Sequence, residues 1–339
     1  MTKSMLAAYV KAPFQFQLRE VPIPQVRDDW VLVKVAACGI CGTDLHAARS
    51  EARDWQPFGH EIAGIVVEVG RHVSTVKEGD RVVLESGSFC GHCDYCRNGR
   101  VDLCNKAPNY WANESMGFAE YILAPKECLV PFEGLDFETA SLVEPLGVSL
   151  DMTQTADVQL GDEVLVLGLG PIGLMSIPLA RRRGAARIYA ADILGGKRAE
   201  TARLLGADEV YTIAEKSLTD IPFRKGGVDR ALVSAPPRAL PKVMQVMRYG
   251  GVISYIGIEY GPGGVISFDA NDFHFRKLQL RASFASPALY FPHCLQMLKD
   301  GQVDGRALIS HVFPLERIAE AMMLLRDMPD QALKVIITN

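Results

Sequence analysis

Apolar residues follow two different rhythms along the chain, and the change falls near Glu144. In the first part, three short β-branched runs, closed by Gly, Asp or Pro, predict strands at residues 31–35, 62–70 and 81–85. Short strands of this kind favour an antiparallel, barrel-like domain. In the second part, apolar runs begin at positions that lie roughly 20–26 residues apart, near residues 164, 188, 210, 231, 252 and 278.

Helical patterns lie between the first three apolar runs of the second part. Residues 172–183 and 197–205 are each followed by a glycine, Gly184 or Gly206, in the position where helices commonly end. Strand–helix alternation at this spacing predicts βαβ units and a parallel, doubly wound α/β sheet of six strands. The tail predicts another helix at residues 315–326 and a last strand at residues 332–337.

Composition narrows the class of protein. A chain of 339 residues suggests about two domains, and 48% hydrophobic with 22% charged residues is typical of a globular protein. The net charge of −4 gives no reason to expect a nucleic acid or an acidic membrane as partner. The longest uncharged run, residues 164–180, contains several Gly and Pro, and we interpret it as a buried strand and helix rather than a membrane span. The apolar run at the start is too short for a secretory signal, so we expect a reduced, cytoplasmic protein.

A glycine-rich loop follows the first strand of the second part. Gly168, Gly170 and Gly173 form a G-x-G-x-x-G pattern, which also contains Pro171 and Ile172 and opens a helix. The first glycine permits a tight turn, the second lets a pyrophosphate approach the backbone, and the third lets helix and strand pack closely. The phosphates would then lie at a helix N-terminus.

The next strand ends in Asp192, 19 residues after Gly173. A carboxylate there accepts hydrogen bonds from the adenosine ribose and repels a 2′-phosphate, which predicts NAD rather than NADP. Ser234, Ile256 and Gly257 end later strands and therefore lie on the expected edge for the cofactor.

Four cysteines within 15 residues predict a metal site in a lobe at about residues 88–106. Cys90, Cys93, Cys96 and Cys104 have the spacing C-x2-C-x2-C-x7-C, which fits a closed tetrahedral zinc site that stabilises a loop. An iron–sulfur cluster also uses four cysteines, but Asn105 stands where a Pro usually follows the last ligand. His92 lies inside the lobe, and we interpret it as a surface residue.

A second group of possible metal ligands mixes sulfur, nitrogen and oxygen. Cys41 lies in CGICGTDLH, His60 and Glu61 lie in GHE, and Glu144 lies in VEPL. An open catalytic zinc site needs three protein ligands and leaves one position for water or substrate. The sequence alone does not show that these residues converge.

Five motifs in this order, CGICGTDLH, GHE, the four-cysteine lobe, VEPL and GLGPIG, resemble the zinc-dependent medium-chain alcohol dehydrogenases. The similarity spans nearly the whole chain and is greatest to the polyol branch, which includes sorbitol and threonine dehydrogenases. The resemblance implies a GroES-like, β-rich catalytic domain at residues 1–148 and 286–339. It implies a Rossmann NAD-binding domain at residues 149–285.

The resemblance also implies two zinc ions per chain, one structural and one catalytic. Cys41 and His60 match catalytic zinc ligands of the family. The third ligand in the polyol branch is a glutamate, Glu61 or Glu144 here, and one alternative is that the two glutamates exchange at the zinc ion during turnover. Asp44 would orient His60. Cys38 matches no ligand position, and we interpret it as a buried thiol.

The implied reaction transfers a hydride from a secondary hydroxyl to NAD and gives a ketone. Zinc lowers the pKa of the hydroxyl. Thr43 takes the proton and passes it through the cofactor ribose to His46, whose ordinary pKa suits its release. We expect a polyol, cyclitol or sugar acid as substrate, with Arg49 or Arg53 as possible contacts for an anionic group. Further candidates for the substrate pocket are Trp111, Glu114 and Met116.

Two other functions remain open at this stage. A zinc-free quinone or enoyl reductase would lack the Cys41, His60 and Glu144 set, which argues against it. A non-catalytic relative that binds NAD and zinc would keep every motif.

The members of the family that the chain resembles form dimers and tetramers, which predicts a homodimer or homotetramer. The apolar residues 265–268 could form a strand that pairs across a subunit edge or one that is buried.

Overall fold

The computed structural model describes residues 3–214 and 217–339. The chain divides into two compact units, one of Met1–Gly147 with Ala285–Asn339 and the other of Val148–Phe284. The domain boundaries expected from the sequence differ from these by one residue.

The first stretch of the first unit is rich in strands. They are β1 (Ser4–Lys11), β2 (Gln15–Pro22), β3 (Trp30–Gly39), β4 (Gln56–Pro57), β5 (Glu61–Val69), β6 (Arg81–Leu84), β7 (Tyr121–Pro125) and β8 (Leu129–Pro131). The helices are α1 (Gly42–His46), α2 (Asp94–Arg97), α3 (Phe137–Ser141) and α4 (Val143–Thr155), the last of which continues into the second unit. The three strands predicted in this region are confirmed as β3, β5 and β6.

The second unit alternates strands and helices. Its strands are β9 (Glu163–Leu167), β10 (Arg187–Asp192), β11 (Glu209–Thr212), β12 (Val228–Val233), β13 (Met247–Tyr255) and β14 (Gln279–Ala282). The helices are α5 (Pro171–Arg182), α6 (Lys197–Leu204), α7 (Leu240–Val246) and α8 (Ala270–Phe275).

These six strands form one parallel sheet in the order β11-β10-β9-β12-β13-β14. The order reverses between β9 and β12, which is the doubly wound Rossmann arrangement predicted from the spacing of the apolar runs. All five residues of β9 are buried, so the uncharged run at 164–180 is confirmed as a core strand followed by helix α5.

The tail adds α9 (Phe291–Lys299), β15 (Ile309–Pro314), α10 (Ile318–Asp327) and β16 (Lys334–Thr338). Strand β16 lies between β15 and β3, so the last strand of the chain joins the large sheet of the first unit in the order β15-β16-β3-β5-β6-β8. Strand β7 pairs with β3 as well, and β2-β1-β4 form a separate small sheet. The core of the unit packs between these strands and α10, with Val33, Ile62 and Met322 almost fully buried.

Two details differ from the prediction. Residues 265–268 form no strand and are not buried, since Val265 is 81% and Phe268 is 43% exposed. The tail helix starts later than expected, because Leu315–Arg317 form a 3-10 turn before α10 begins at Ile318.

Among the described residues, none of the helices combines the length and the apolar character needed to cross a lipid bilayer.

Candidate active site and metal centres

Three of the predicted metal ligands converge in the first unit. Cys41 is the N-cap residue of α1, directly after β3, while His60 and Glu61 stand at the start of β5. Because β3 and β5 are antiparallel neighbours, with Gly39 opposite Glu61, the end of one strand meets the beginning of the other. One ligand atom from each of Cys41, His60 and Glu61 lies within 4.8 Å of the others.

Asp44 joins the two segments that carry these ligands. Its carboxylate is only 4% exposed and accepts hydrogen bonds from the backbone N–H of Cys41 (2.8 Å) and of Gly59 (3.3 Å). Its Oδ1 also lies 3.9 Å from Nδ1 of His60. The carboxylate thus fixes the loop before α1 against the segment before β5, as its predicted role as an orienting group requires.

The charges in this cluster favour a bound cation. Burial by itself would lower the pKa of His60, but the negative groups of Cys41, Asp44 and Glu144 outweigh it and raise that pKa well above the ordinary value. A set of half-buried thiol, buried imidazole and buried carboxylate with excess negative charge fits the donor preference and the charge of Zn²⁺. The residues present therefore fit the catalytic ion that the sequence implies.

The second candidate carboxylate lies beside the cluster but outside the closest group. Glu144 is in the first turn of α4 and is partly exposed. Burial raises its pKa to about 7, with His60 lowering it and Glu61 raising it further, so its carboxylate is close enough to respond to both. The geometry groups Glu61, rather than Glu144, with Cys41 and His60.

A lysine that the sequence analysis did not single out completes the surroundings of Glu61. Nζ of Lys334, the first residue of β16, lies 2.6 and 2.7 Å from the two carboxylate oxygens of Glu61. The two residues are 273 positions apart, and no local pattern signals the contact. Only the placement of β16 beside β3 makes it possible.

The two residues proposed for proton transfer lie on one short helix. Thr43 and His46 are three positions apart in α1 and therefore share a face, and Thr43 is exposed while His46 is partly exposed. Asp44 points instead into the protein. The helix thus turns Thr43 toward solvent and Asp44 toward the interior, while Nε2 of His46 is buried.

The cysteine lobe has the geometry of a closed metal site. One sulfur atom from each of Cys90, Cys93, Cys96 and Cys104 lies within 4.8 Å of the others, with 4.0 Å between Cys90 and Cys96 and 3.9 Å between Cys93 and Cys104. Zinc–sulfur bonds of about 2.3 Å in a tetrahedron place the sulfurs about 3.8 Å apart. His92 is exposed, binds the backbone oxygen of Cys90 and lies outside the group, as expected for a surface residue.

The four thiols differ in how easily they ionise. Desolvation opposes the charge of Cys90, but backbone hydrogen bonds from His92 and Cys93 outweigh it and lower its pKa to about 6. Desolvation and the neighbouring thiols raise the pKa of Cys96 to about 12. Four thiolates this close repel one another unless a cation lies between them, which fits a structural zinc ion.

Each glycine of the loop in the second unit is explained by its surroundings. Gly168 has φ +94, and a Cβ there would lie 2.6 Å from Oγ of Ser234. A Cβ at Gly173 would lie 1.8 Å from the backbone oxygen of Gly168, so helix α5 packs directly on the turn. At Gly170 the nearest atom to a Cβ is Nη1 of Arg198 at 4.0 Å, which leaves the open backbone that a pyrophosphate needs.

Asp192 lies at the end of β10, where the sequence predicts contact with the ribose, and it already has three partners. Its Oδ2 accepts from the backbone N–H of Leu169 in the glycine loop (2.5 Å), and its Oδ1 accepts from that of Leu194 (2.9 Å). Nη1 of Arg198 lies 3.3 Å from Oδ2. Arg198, which the sequence analysis did not single out, brings a positive charge next to the predicted ribose position.

The remaining predicted cofactor residues lie at the carboxyl ends of adjacent parallel strands. Ser234 follows β12 and donates to the backbone oxygen of Gly168 (3.0 Å). Ile256 and Gly257 follow β13, and a Cβ at Gly257 would lie 2.0 Å from the backbone oxygen of Ala235. The structure therefore gathers these residues at one edge of the sheet, beside the glycine loop after β9.

The candidates for the substrate pocket fall into different environments. Trp111 is 53% exposed, and its ring centroid lies 5.3 Å from that of His60. Arg49 and Arg53 are exposed, as is Glu114, whereas Met116 is 3% exposed and packs in the core of the unit. Trp111 thus lies beside a predicted metal ligand, and Met116 is better explained as a core residue.

Comparison with known proteins agrees with this architecture. The family described as alcohol dehydrogenase GroES-like domain matches residues 27–134, and the family described as zinc-binding dehydrogenase matches residues 171–300. Sorbitol dehydrogenase of Bacillus subtilis (strain 168) is 31% identical over 349 residues, which cover 99% of this chain and 97% of the relative. The chain belongs to the zinc-dependent medium-chain dehydrogenases.

Two further proteins show how widely the similarity extends. L-galactonate-5-dehydrogenase of Escherichia coli (strain K12) is 28% identical over 329 residues, which cover 94% of each chain. A solved structure described as short chain alcohol dehydrogenase (rspB) of Escherichia coli CFT073, complexed with NADH, has a TM-score of 0.90 at 25% identity and covers 99% of each chain. The resemblance drawn from the five motifs and the fold class of a zinc-dependent medium-chain dehydrogenase are thus confirmed.

Proposed function

We propose that this zinc-dependent dehydrogenase transfers a hydride from a secondary hydroxyl of a polyol, cyclitol or sugar acid to NAD, giving a ketone. The observation that carries the proposal is the close group of Cys41, His60 and Glu61, the last two of them buried, with a further carboxylate on Glu144 beside it. Relatives named for sorbitol and L-galactonate support a polyhydroxylated substrate. Quinone or enoyl reduction without zinc would leave this donor set without a use.

Different residues of the chain bind the metal ion, orient a ligand and transfer the proton in the proposed reaction. A zinc ion held by Cys41, His60 and a carboxylate would act as a Lewis acid on the substrate hydroxyl. Asp44 keeps the imidazole of His60 in place. Thr43 accepts the hydroxyl proton, and His46 on the same face of α1 releases it to solvent. The four cysteines of the lobe hold a second zinc ion with a structural role.

The second unit binds NAD in this proposal. Gly170 at the start of α5 would bind the pyrophosphate, because the nearest atom to a Cβ there is 4.0 Å away and leaves the backbone open. Asp192 accepts hydrogen bonds from the adenosine ribose with the oxygen lone pairs that its backbone partners leave open. The residues after β12 and β13 border the rest of the cofactor.

Trp111 supports a substrate with a carbon backbone as well as hydroxyl groups. Its exposed indole beside His60 offers an apolar face to the C–H groups of a polyol, while the hydroxyl groups face polar neighbours. Arg49 and Arg53 are exposed and carry the positive charge that would bind a sugar-acid carboxylate. Activity on sugar acids but not on neutral polyols would assign that role to them.

A substrate screen tests the proposed reaction. NADH formation is followed by absorbance across simple alcohols, polyols, cyclitols, sugar acids and sugar phosphates. We expect His60→Ala to lower turnover by more than about 100-fold, because residues that only orient a metal ligand already contribute about 10–100-fold. NAD affinity should change little, because His60 belongs to the first unit and the glycine loop to the second.

The matched control is His72→Ala, which removes an exposed histidine whose nearest charged partner is Asp29. It should leave turnover and zinc content at the values of the unsubstituted protein. NADH binding and a full zinc content without turnover on any alcohol would instead favour a non-catalytic relative. Unchanged activity of His60→Ala would contradict the role of zinc.

We also propose that the chain forms a homodimer or homotetramer in the cytoplasm. Strand β14 is an edge of the parallel sheet, and Phe275 and Phe284, on either side of it in the chain, are 71% and 74% exposed. An unpaired edge with exposed aromatic residues is suited to pairing with a second copy. Sedimentation equilibrium should give a multiple of 37.1 kDa, and a monomer would contradict the proposal.

The free thiols in both predicted metal sites suit a reducing compartment.

A further inference from the structure

The most deeply buried ion pair among the described residues joins Lys334 to Glu61. The two side chains are 3% and 0% exposed. The lysine donates to both carboxylate oxygens and, at 2.9 Å, to the backbone oxygen of Ile40. A buried carboxylate requires a cationic or hydrogen-bonding partner, and Lys334 supplies one to Glu61.

The strands around this pair hold the carboxylate in one place. Gly39 of β3 pairs with Glu61 on one side and with Ile336 of β16 on the other. A Cβ on Gly39 would lie 2.0 Å from Oε2 of Glu61, so the missing side chain makes the space in which the carboxylate lies. Because Gly39 has no side chain, Lys334 can reach Glu61 across β3 at this residue.

The same carboxylate also faces the predicted metal position. An oxygen of Glu61 lies within 4.8 Å of ligand atoms of Cys41 and His60. Glu61 thus stands between two possible cations, the ammonium group of Lys334 and the ion. A carboxylate that gives both oxygens to a lysine has less electron density to donate to a metal.

We propose that Lys334 is a positioning residue that competes with the catalytic metal ion for Glu61 and so keeps Glu61 a weak, exchangeable ligand. The inference rests on the proposed zinc site and goes beyond it, because it assigns a function to a residue that carries no ligand atom. Glu144, in the first turn of α4, provides a second carboxylate near the same position.

The proposal makes a directional statement about metal binding. When the charge of Lys334 is removed, the ion becomes the main cationic partner of Glu61, so the ion should be held more tightly and leave more slowly. The metal-free protein should at the same time lose stability, because Glu61 then keeps a buried charge without compensation. A purely structural lysine would instead affect the metal-free and metal-loaded proteins alike.

The experiment uses the full-length protein with Co²⁺ in the catalytic site, compared with the variants Lys334→Met, Lys334→Arg, Glu61→Gln and Lys334→Met/Glu61→Gln. It measures the visible spectrum of Co²⁺, its rate of release to a chelator, and the Tm with and without metal. We expect Lys334→Met to slow release by about tenfold and to change the intensity of the cobalt bands. Lys334→Arg should remain close to the unsubstituted protein.

The double variant decides whether Lys334 acts through Glu61. We expect it to match Glu61→Gln in spectrum and release rate, because the lysine then has no carboxylate to compete for. If Lys334→Met fails to fold without metal, Lys334→Gln removes the charge but keeps a donor for Ile40, and it should also slow release.

Two results would overturn the inference. Release at the unsubstituted rate with an unchanged spectrum in Lys334→Met would reduce the lysine to a structural role, as would a double variant that still differs from Glu61→Gln. None of these measurements uses a substrate, so a failed substrate screen leaves them intact. Absence of Co²⁺ binding in all variants, including the unsubstituted protein, would overturn the zinc site itself together with this inference.

Discussion

At the scale of single residues, we expect Asp192 of the second unit to decide which dinucleotide fits. Its carboxylate binds two backbone N–H groups and lies 3.3 Å from Arg198. Removing the carboxylate takes away a hydrogen-bond acceptor for the ribose and leaves the guanidinium of Arg198 as the dominant charge at that position. The preference between NAD and NADP therefore depends on the balance between one acid and one base.

We expect Asp192→Ala to weaken NADH binding by about 10–100-fold, the equivalent of one or two hydrogen bonds to a charged group, and to strengthen NADPH binding. Asp192→Asn is the matched control, because its amide oxygen can still accept from the backbone of Leu169. Fluorescence titration of both cofactors measures the two affinities. An unsubstituted protein that binds NADPH as tightly as NADH would show that Asp192 does not exclude the 2′-phosphate.

The groups that spacing alone identified are those whose members lie within one motif, whereas the set of Cys41, His60 and Glu144 needed the resemblance. The four lobe cysteines and the three loop glycines each lie within a short stretch of the sequence, so both motifs can be recognised before the fold is known. Lys334 and Arg198 were missed because a lysine in a β-branched strand and an arginine in a helix are common. Their significance comes from Glu61 and Asp192, which only the fold brings to them.

At the scale of elements, the packing of α5 on the glycine turn gives a sharp test. A Cβ at Gly173 would lie 1.8 Å from the backbone oxygen of Gly168, so the helix or the turn must move. We expect Gly173→Ala to lower the free energy of unfolding by about 1–3 kcal/mol, as overpacking does, and to weaken NADH binding as well. Thermal unfolding and fluorescence titration measure the two effects.

Gly170→Ala separates the two effects. The nearest atom to a Cβ there is 4.0 Å away, so the substitution should leave the Tm unchanged while it blocks the approach of the pyrophosphate. A Gly170→Ala variant that binds NADH normally would show that the pyrophosphate lies elsewhere. A Gly173→Ala variant of normal stability would show that α5 has more room than this packing allows.

Regular elements with a clear period were predicted well. Strands β9 and β10 are buried almost throughout and appear as continuous apolar runs, and helices α5 and α6 are each followed by a glycine. Of the two alternatives for residues 265–268, the buried strand was wrong, because Val265 and Phe268 are exposed. Pairing of this segment across a subunit edge stays a prediction. The small sheet β2-β1-β4 was not predicted. The residues of β2 alternate between exposed and half-buried, and none of them is fully buried, so the strand gives only a weak apolar pattern.

At the scale of the whole molecule, the return of the tail to the first unit could be expected only from the resemblance. Pairing of β16 with β3 joins residues about 300 positions apart, and neither strand carries a signal for the other. This long-range pairing has a chemical consequence, because it brings Lys334 to Glu61. The last strand of the chain thus contributes to a site whose other members all lie within the first 150 residues.

The stability of the molecule should depend on pH through a buried acid that the proposed chemistry does not use. Glu85 follows β6, is 6% exposed, and donates its backbone N–H to the oxygen of Cys128. Burial raises the pKa of its carboxyl group from 4.5 to about 7, although a hydrogen bond from Ser88 opposes the shift. The folded protein therefore holds this proton up to higher pH than the unfolded chain does.

The sign of the effect follows from this difference. The favourable contribution of the protonated Glu85 is complete below about pH 4.5 and is lost as the pH rises toward 7, which corresponds to about 3–4 kcal/mol at most. Glu85→Gln mimics the protonated acid at every pH, so its Tm should equal that of the unsubstituted protein at pH 4 and exceed it at pH 8. Glu127→Gln, at an exposed glutamate next to Cys128, should show no such difference. A Tm gap that is the same at both pH values would mean that Glu85 does not change its charge in the folded protein over this range.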